Sequence, residues 1–188
     1  MSVRAIETEY KGYRFRSRLE SRWAVFFDAL GIRYEYEQEG FELPSGMRYL
    51  PDFFLPDIKG GIYVEVKGQM DDSSYLKIVE FWEHGNAPLY VLGGIPTQDE
   101  LDSDDMYGSV DRYKRCFEYG FNCDGVTGRD WPYLFCVCPT CGKVGLEFDG
   151  RGWRVCGKDG KGYSWNHRKL VNAYKKARSA RFEFSERQ

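Results

Sequence analysis

The sequence predicts an α/β fold: a helix, a group of strands, a second helix and a further strand, then a cysteine-bearing module and a basic C-terminal helix. Three observations predict it. Residues 17–30 carry apolar side chains at helical spacing. The runs Ile62–Lys67 and Ala87–Leu92 read as strands on either side of a helical segment. Four cysteines then fall between Cys136 and Cys156.

The first helix, SRLESRWAVFFDAL, places Leu19, Trp23, Phe26, Phe27 and Leu30 on one stripe, and Gly31 can end it. Ser17 with Glu20 three residues on is a capping-box pattern. Ile32–Glu37 alternates like a half-exposed strand, and Phe41–Leu43 is a second, short one. Pro44-Ser45-Gly46 is a turn. Tyr49–Leu55 is a third strand, with Pro51 marking an edge or a strand start. After the turn at Ile58–Gly61, Ile62–Lys67 is the most strand-like run in the chain. Ser73–His84 follows as a helix with Leu76, Val79 and Trp82 inward, and Ala87–Leu92 as a buried strand. Beyond Gly94 the composition changes. Pro96–Asp105 reads as an acidic loop, Tyr107–Gly120 as a helix and Asp124–Trp131 as a loop. Short β-like pieces separate the cysteines of Phe135–Cys156, and Asn166–Arg181 is a basic helix. Three segments result: a core over 1–98, an acidic linker over 99–132, and a cysteine module with its basic helix over 133–188.

A chain of 188 residues and 22.0 kDa is one domain, or one with a small appendage, and can bury a core without disulfides. No apolar run approaches the roughly 18 residues of a membrane span. The opening MSVRAIETE turns acidic at once, unlike a secretory signal. The expectation is therefore a cytoplasmic protein without a membrane partner. The net charge of −2 names no partner, but its distribution is uneven. Arg151–Arg181 holds ten Lys/Arg against one Asp, a net +9. Residues 1–22 hold six basic side chains against three acidic ones. Two basic ends suit a polyanion, although a solvated helix face accounts for the charge equally well.

The chemistry gathers around Glu65 and Lys67. Residues two apart in a strand point to the same face, roughly 7 Å apart. A carboxylate and an ammonium thus stand together, while Val64 and Val66 point into the core. Pro51-Asp52 puts a second carboxylate on the neighbouring strand, and a hairpin-length connection brings it toward Glu65. Two carboxylates on adjacent strands make an oxygen-rich site for a hard cation such as Mg²⁺ or Mn²⁺. The lysine beside them can hold or deprotonate an attacking water and offset developing negative charge. Glu20 lies about 20° from Phe27 on the helical wheel, at the flank of the apolar stripe, and needs a partner there. Taken singly, each of these residues is ordinary: a salt-bridged strand, a turn, a solvated helix. The conjunction is not.

That conjunction resembles the PD-(D/E)XK nuclease superfamily, the restriction-endonuclease-like fold. The residues that carry the likeness are Glu20 in RSRLESRW, Pro51-Asp52 in YLPDFFLP and Glu65-Val66-Lys67 in YVEVKG, over roughly residues 10–95. The runs EYKGYRFRSRLESRWAVFFDALGIRYEYE and NAYKKARSARFEF are also similar to small nuclease-like proteins of actinobacterial genomes and their phages, a likeness that implies no substrate. The resemblance implies a mixed sheet and Mg²⁺ held by Asp52, Glu65 and Glu20, with the Val66 carbonyl as a further ligand. It implies that Lys67 orients the water in phosphodiester hydrolysis. The expected substrate is DNA, cut by an endonuclease or nickase, with an RNase as an alternative, because the catalytic set does not choose the sugar. A non-cleaving adaptor on the same fold is the rival. Arg14, Arg16, Arg18, Arg22 and Gln69 near the set, with Lys175, Lys176 and Arg178 on the last helix, are expected to meet the nucleic-acid backbone. A homodimer or a protein partner fits this class of enzyme as well.

Cys138-Pro139-Thr140-Cys141-Gly142 is a metal-binding knuckle pattern, and Cys156 lies 15 residues on. A structural Zn²⁺ held by Cys138, Cys141 and Cys156 is expected, with Cys136 or His167 as fourth ligand. Cys116 and Cys123 read as ordinary thiols, and His84 as a helix-end residue.

Overall fold

The computed structural model describes residues 6–84, 88–99, 133–148 and 166–182. The expected helix over 107–120, the loop over 124–131, most of the acidic loop over 99–105, and Cys116, Cys123 and Cys156 lie outside the described residues. The fold is mixed α/β, with three helices and a mixed four-stranded sheet among them.

An N-terminal hairpin, β1 (Thr8–Tyr10) and β2 (Tyr13–Phe15), precedes the first helix. Lys11 and Gly12 at its tip both have positive φ, 50° and 83°, as a tight two-residue hairpin turn requires. Helix α1 (Arg18–Leu30) starts at Ser17, whose hydroxyl accepts the Glu20 N–H. It ends at Gly31 in the left-handed region, φ 69°. Both boundaries follow the sequence signals.

The main sheet contains β3 (Glu35–Tyr36), β6 (Phe53–Leu55), β7 (Ile62–Val66) and β8 (Leu89–Leu92), in the order β3-β6-β7-β8. The first two pairings are antiparallel. The third is parallel, with α2 (Asp72–His84) as its crossover. Residues 49–55 do not form one strand. Pro51 has no N–H to donate, and the run divides there. Arg48–Tyr49 (β5) pairs instead with Phe41–Glu42 (β4) in a separate small hairpin.

The sheet separates two apolar clusters. Phe53, Leu55, Ile62, Val64, Val66, Tyr90 and Leu92 face α1. Leu89, Val91 and the half-buried Tyr63 face α2, where Ile78 and Phe81 close the cluster with Leu43 and Tyr49. The inward face of α2 therefore differs from the expected one. Leu76 is 59% exposed, and Val79 and Trp82 are only partly buried. Ile78 lies about 200° around the helix from Leu76, so the two cannot share a face.

Helix α1 is covered on its second side too. The hairpin of β9 (Tyr133–Val137) and β10 (Val144–Phe148) and helix α3 (Arg168–Ser179) pack there and share its core. Phe26 stacks on Tyr174 at 4.4 Å between ring centroids, and Phe135 lies 5.0 Å from Phe26. Phe27 meets Phe53 of the sheet edge-on at 5.4 Å. Each large side chain so buried stabilises the fold by about 1.5–3 kcal/mol.

Candidate active site

The strand register brings the sequence-identified residues together. Phe53 pairs with Val64, which sets Asp52 beside Glu65 at the end of the β6–β7 ladder. Both carboxylates are buried, Asp52 at 4% and Glu65 at 5% exposure. Lys67 follows β7 and is tied into the ladder by its N–H, which donates to the Leu92 carbonyl at 2.9 Å. Its Nζ lies 2.7 Å from Glu65 Oε1, so Glu65 and Lys67 share a face while Val64 and Val66 fill the core. The chain leaves the sheet at Gly68 and Gln69, both exposed.

Each carboxylate oxygen has a protein donor. Asp52 Oδ2 accepts the Val66 N–H at 2.7 Å, and Oδ1 accepts Arg16 Nη2 at 2.9 Å. Glu65 Oε2 accepts the Tyr49 hydroxyl at 2.9 Å. Glu20, 6% exposed, accepts the Ser17 hydroxyl at 2.6 Å on one oxygen. Its other oxygen accepts the Tyr36 hydroxyl at 2.7 Å and the Arg16 N–H at 3.0 Å. The expected role of Glu20 as a metal ligand thus sits beside a capping role that the Ser17–Glu20 spacing itself encodes.

Arg16, on the loop entering α1, ties the site together. Besides Asp52 it reaches Glu37, Nε to Oε1 2.5 Å, and its side chain is 55% exposed. The sequence expectation for Arg16 is a nucleic-acid backbone contact; within the fold its guanidinium meets the buried Asp52. Two tyrosines and Glu37 were missed. Tyr49 lies three positions before Asp52 in a half-buried β segment, and a buried tyrosine hydroxyl needs a partner. That was the available signal.

Burial, and then the nearby negative charges of Glu65 and Glu20, push the Asp52 carboxyl well above the usual range, against the pull of the Val66 N–H and Arg16. Burial acts to lower the Lys67 ammonium, but Glu65 and then Asp52 outweigh it, and the net shift is upward. Burial and the Glu65 charge likewise raise the Tyr49 hydroxyl. Lys67 is therefore a cation here, able to donate and to offset negative charge.

The other basic candidates are dispersed. Arg14 is exposed and pairs with Glu7. Arg18 is exposed at the start of α1. Arg22 is half-buried, and its Nε has no hydrogen-bond partner among the described residues. Lys175 and Lys176 are exposed on α3, whereas Arg178 is half-buried.

The cysteine knuckle forms the tip of the β9–β10 hairpin. Cys138 N–H donates to Lys143 O and Gly142 N–H to Cys138 O, both at 2.8 Å, with Gly142 at φ 68°. Cys138 is buried, Cys141 is exposed, and neither is in a disulfide. Cys136 is buried, its Sγ 3.7 Å from the Gly145 carbonyl. His167 caps α3, its Nδ1 accepting the Lys169 N–H at 3.2 Å.

Among the described residues, no three His, Cys, Asp or Glu side chains stand in a ready-made ligating cluster. The donor chemistry nevertheless suits a hard divalent ion. Two buried carboxylates on adjacent strands concentrate negative charge, and the cations now balancing it are side chains that reach partway to solvent. No helix among the described residues is long and apolar enough to cross a membrane. No protein-family model, curated protein or solved structure matches this chain.

Proposed function

We propose that this chain is a metal-dependent nuclease of the PD-(D/E)XK type, hydrolysing phosphodiester bonds in DNA. The observation that carries the reading is the pairing of buried Asp52 and Glu65 on adjacent strands, with Lys67 Nζ 2.7 Å from Glu65. The helix, antiparallel strands, crossover helix and parallel strand around them support it. Asp52 and Glu65 would hold Mg²⁺ or Mn²⁺, with the Val66 carbonyl and Glu20 beside them. The ion would supply Lewis-acid activation and charge neutralisation at phosphorus.

The residues divide the remaining work. Lys67, cationic beside Glu65, orients the attacking water by donating to it and offsets charge growing on the phosphoryl oxygens. The water oxygen bonds to phosphorus as the bond to the leaving 3′ oxygen breaks. The water's proton passes to solvent rather than to an ammonium already protonated, and the departing 3′ oxygen takes a proton from solvent to become the hydroxyl. Tyr49 holds one Glu65 oxygen and fixes the direction of the other. Arg14, Arg18, Lys175 and Lys176 are exposed cations for backbone contacts, which give salt-dependent affinity without reading bases.

We read the Cys138–Cys141 knuckle as one half of a structural zinc site, with Cys156 in the other half. His167 retains Nε2 for a metal, since Nδ1 caps α3. One zinc per chain in the purified protein supports this half-site; a well-folded, zinc-free preparation refutes it.

The decisive experiment incubates wild type and Asp52→Ala with supercoiled plasmid, linear duplex, single-stranded DNA and RNA, with Mg²⁺, Mn²⁺ or EDTA. Metal-dependent cutting by wild type alone is expected, on DNA. The rival, a non-cleaving nucleic-acid adaptor, draws support from the protein donors on every oxygen of Asp52 and Glu65. Binding without cutting under any condition favours that rival.

A further inference from the structure

We propose that Arg16 is a built-in countercation that competes with the divalent ion for Asp52, so that the site is latched until the ion or a phosphate backbone displaces the guanidinium. This rests on the nuclease reading and adds a regulatory residue to it. Three observations carry it.

The first is occupancy. Asp52 has one carboxylate oxygen committed to the Val66 backbone N–H, just beyond the end of the β6–β7 ladder. Its other oxygen is the one open to an ion, and there Arg16 Nη2 sits at 2.9 Å. A charge-assisted bond to that oxygen and a metal–oxygen bond use the same lone pairs and the same negative charge.

The second is mobility by construction. Asp52 is held between strands and is almost wholly buried, whereas the Arg16 side chain is 55% exposed and extends from the loop between β2 and α1. The carboxylate cannot move away from the guanidinium, but the guanidinium can swing toward water. Its second partner, Glu37, has a side chain 27% exposed. Arg16 can keep an ion pair at the rim after it leaves Asp52.

The third is a division of labour within one residue. The Arg16 backbone N–H donates to Glu20 and also meets the Tyr36 hydroxyl at 3.1 Å. The main chain is thus anchored at the α1 N-cap whatever the side chain does. A residue fixed at its backbone and exposed at its side chain is suited to toggling. Lys67 is not equivalent. It pairs with Glu65, its side chain is 30% exposed, and its backbone is fixed to β8.

The latch has a physical rationale. Without an ion and without Arg16, Asp52, Glu65 and Glu20 would be three buried carboxylates with Lys67 as the remaining cation. Breaking a buried pair by removing one partner is strongly unfavourable. Arg16 supplies the missing charge and makes the ion-free fold tenable. The same contact must then weaken the binding of the ion.

The test is Mn²⁺ binding by titration calorimetry and Mn²⁺ spin resonance at pH 8, where protons compete least. Wild type, Arg16→Gln and Arg16→Lys are compared, each also in an Asp52→Asn background that removes the site. Arg16→Gln is expected to bind Mn²⁺ about tenfold tighter than wild type, the scale of losing a charge-assisted competitor. Arg16→Lys should fall between them. Arg16→Gln should also lose thermal stability without metal and regain it with Mn²⁺. Should Arg16→Gln fold only with Mn²⁺ present, the latch is supported by that dependence. If it folds under neither condition, the Arg16→Lys affinity decides: tighter than wild type supports, equal refutes. Equal Mn²⁺ affinity in wild type and Arg16→Gln, both lost with Asp52→Asn, overturns the latch and leaves the nuclease reading intact. No Mn²⁺ binding in any variant overturns both.

Discussion

Helices α1 and α2 have the same length, 13 residues, and both follow from apolar periodicity, yet they serve the molecule differently. Eight residues of α1 are buried, because the sheet covers one side and α3 with the β9–β10 hairpin covers the other. Only Ile78 and Phe81 are buried in α2, which lies against the sheet with its remaining faces toward water or partly covered. The site follows this asymmetry. The N-terminus of α1 carries Glu20 and, just before it, Arg16 and Ser17. Helix α2 contributes no side chain, but Phe81 packs 5.1 Å from the Tyr49 ring, and Tyr49 holds Glu65. One helix positions the charges; the other supports the residue that orients one of them.

Cutting one ring from each helix separates their contributions most strongly. Phe26→Ala removes the centre of the stack between α1, Phe135 and Tyr174, and is expected to cost about 3–5 kcal/mol, against the lower end of that range for Phe81→Ala. Urea denaturation checks both. Equal losses would mean that the second cover over α1 adds nothing.

Asp52 tests the charged side of the account through pH. Its carboxyl is pushed upward by burial and by the Glu65 and Glu20 charges. Protonation therefore favours the folded state. The stabilising contribution is full below the ordinary value of 3.8 and is lost as pH rises through the raised one. Asp52→Asn imitates the protonated form. At pH 8 it should be more stable than wild type, on the order of 1 kcal/mol, because it removes a buried charge that stands near two other carboxylates. The gain should shrink as the pH falls toward 4. A variant less stable than wild type at pH 8 would show that Arg16 and Val66 outweigh burial.

Ser17→Ala is the smallest cut. It removes the hydroxyl that accepts the Glu20 N–H and donates to its carboxylate, and should cost about 1 kcal/mol in chemical denaturation. No loss would mean that Arg16 and Tyr36 hold Glu20 without the cap.

The core of the fold was legible because its signals are local. Ser17, Gly31 and the stripe from Trp23 to Leu30 define α1, and alternation in Ile62–Val66 assigns Glu65 to one face and the valines to the other. The first hairpin carries a weaker local signal, because its Lys11-Gly12 turn places a lysine at positive φ, where lysine is rare. The division of 49–55 depends on which strand Tyr49 pairs with, a long-range choice that no local pattern contains. The inward face of α2 is ambiguous in the sequence, because Leu76, Ile78, Val79, Phe81 and Trp82 offer two apolar stripes, and only the sheet beneath selects one. In the site, Asp52, Glu65 and Lys67 were read from spacing. The roles of Arg16, Tyr36 and Tyr49 were not, since each depends on a contact at least 16 residues away.

The proposed nuclease activity depends on Lys67 acting beside the two buried carboxylates. The direct measurement is Mg²⁺-dependent plasmid cleavage by Lys67→Ala, alongside its DNA affinity and far-ultraviolet circular dichroism. Cleavage is expected to be abolished while folding and binding stay close to wild type. Cleavage at the wild-type rate in a folded Lys67→Ala would contradict it.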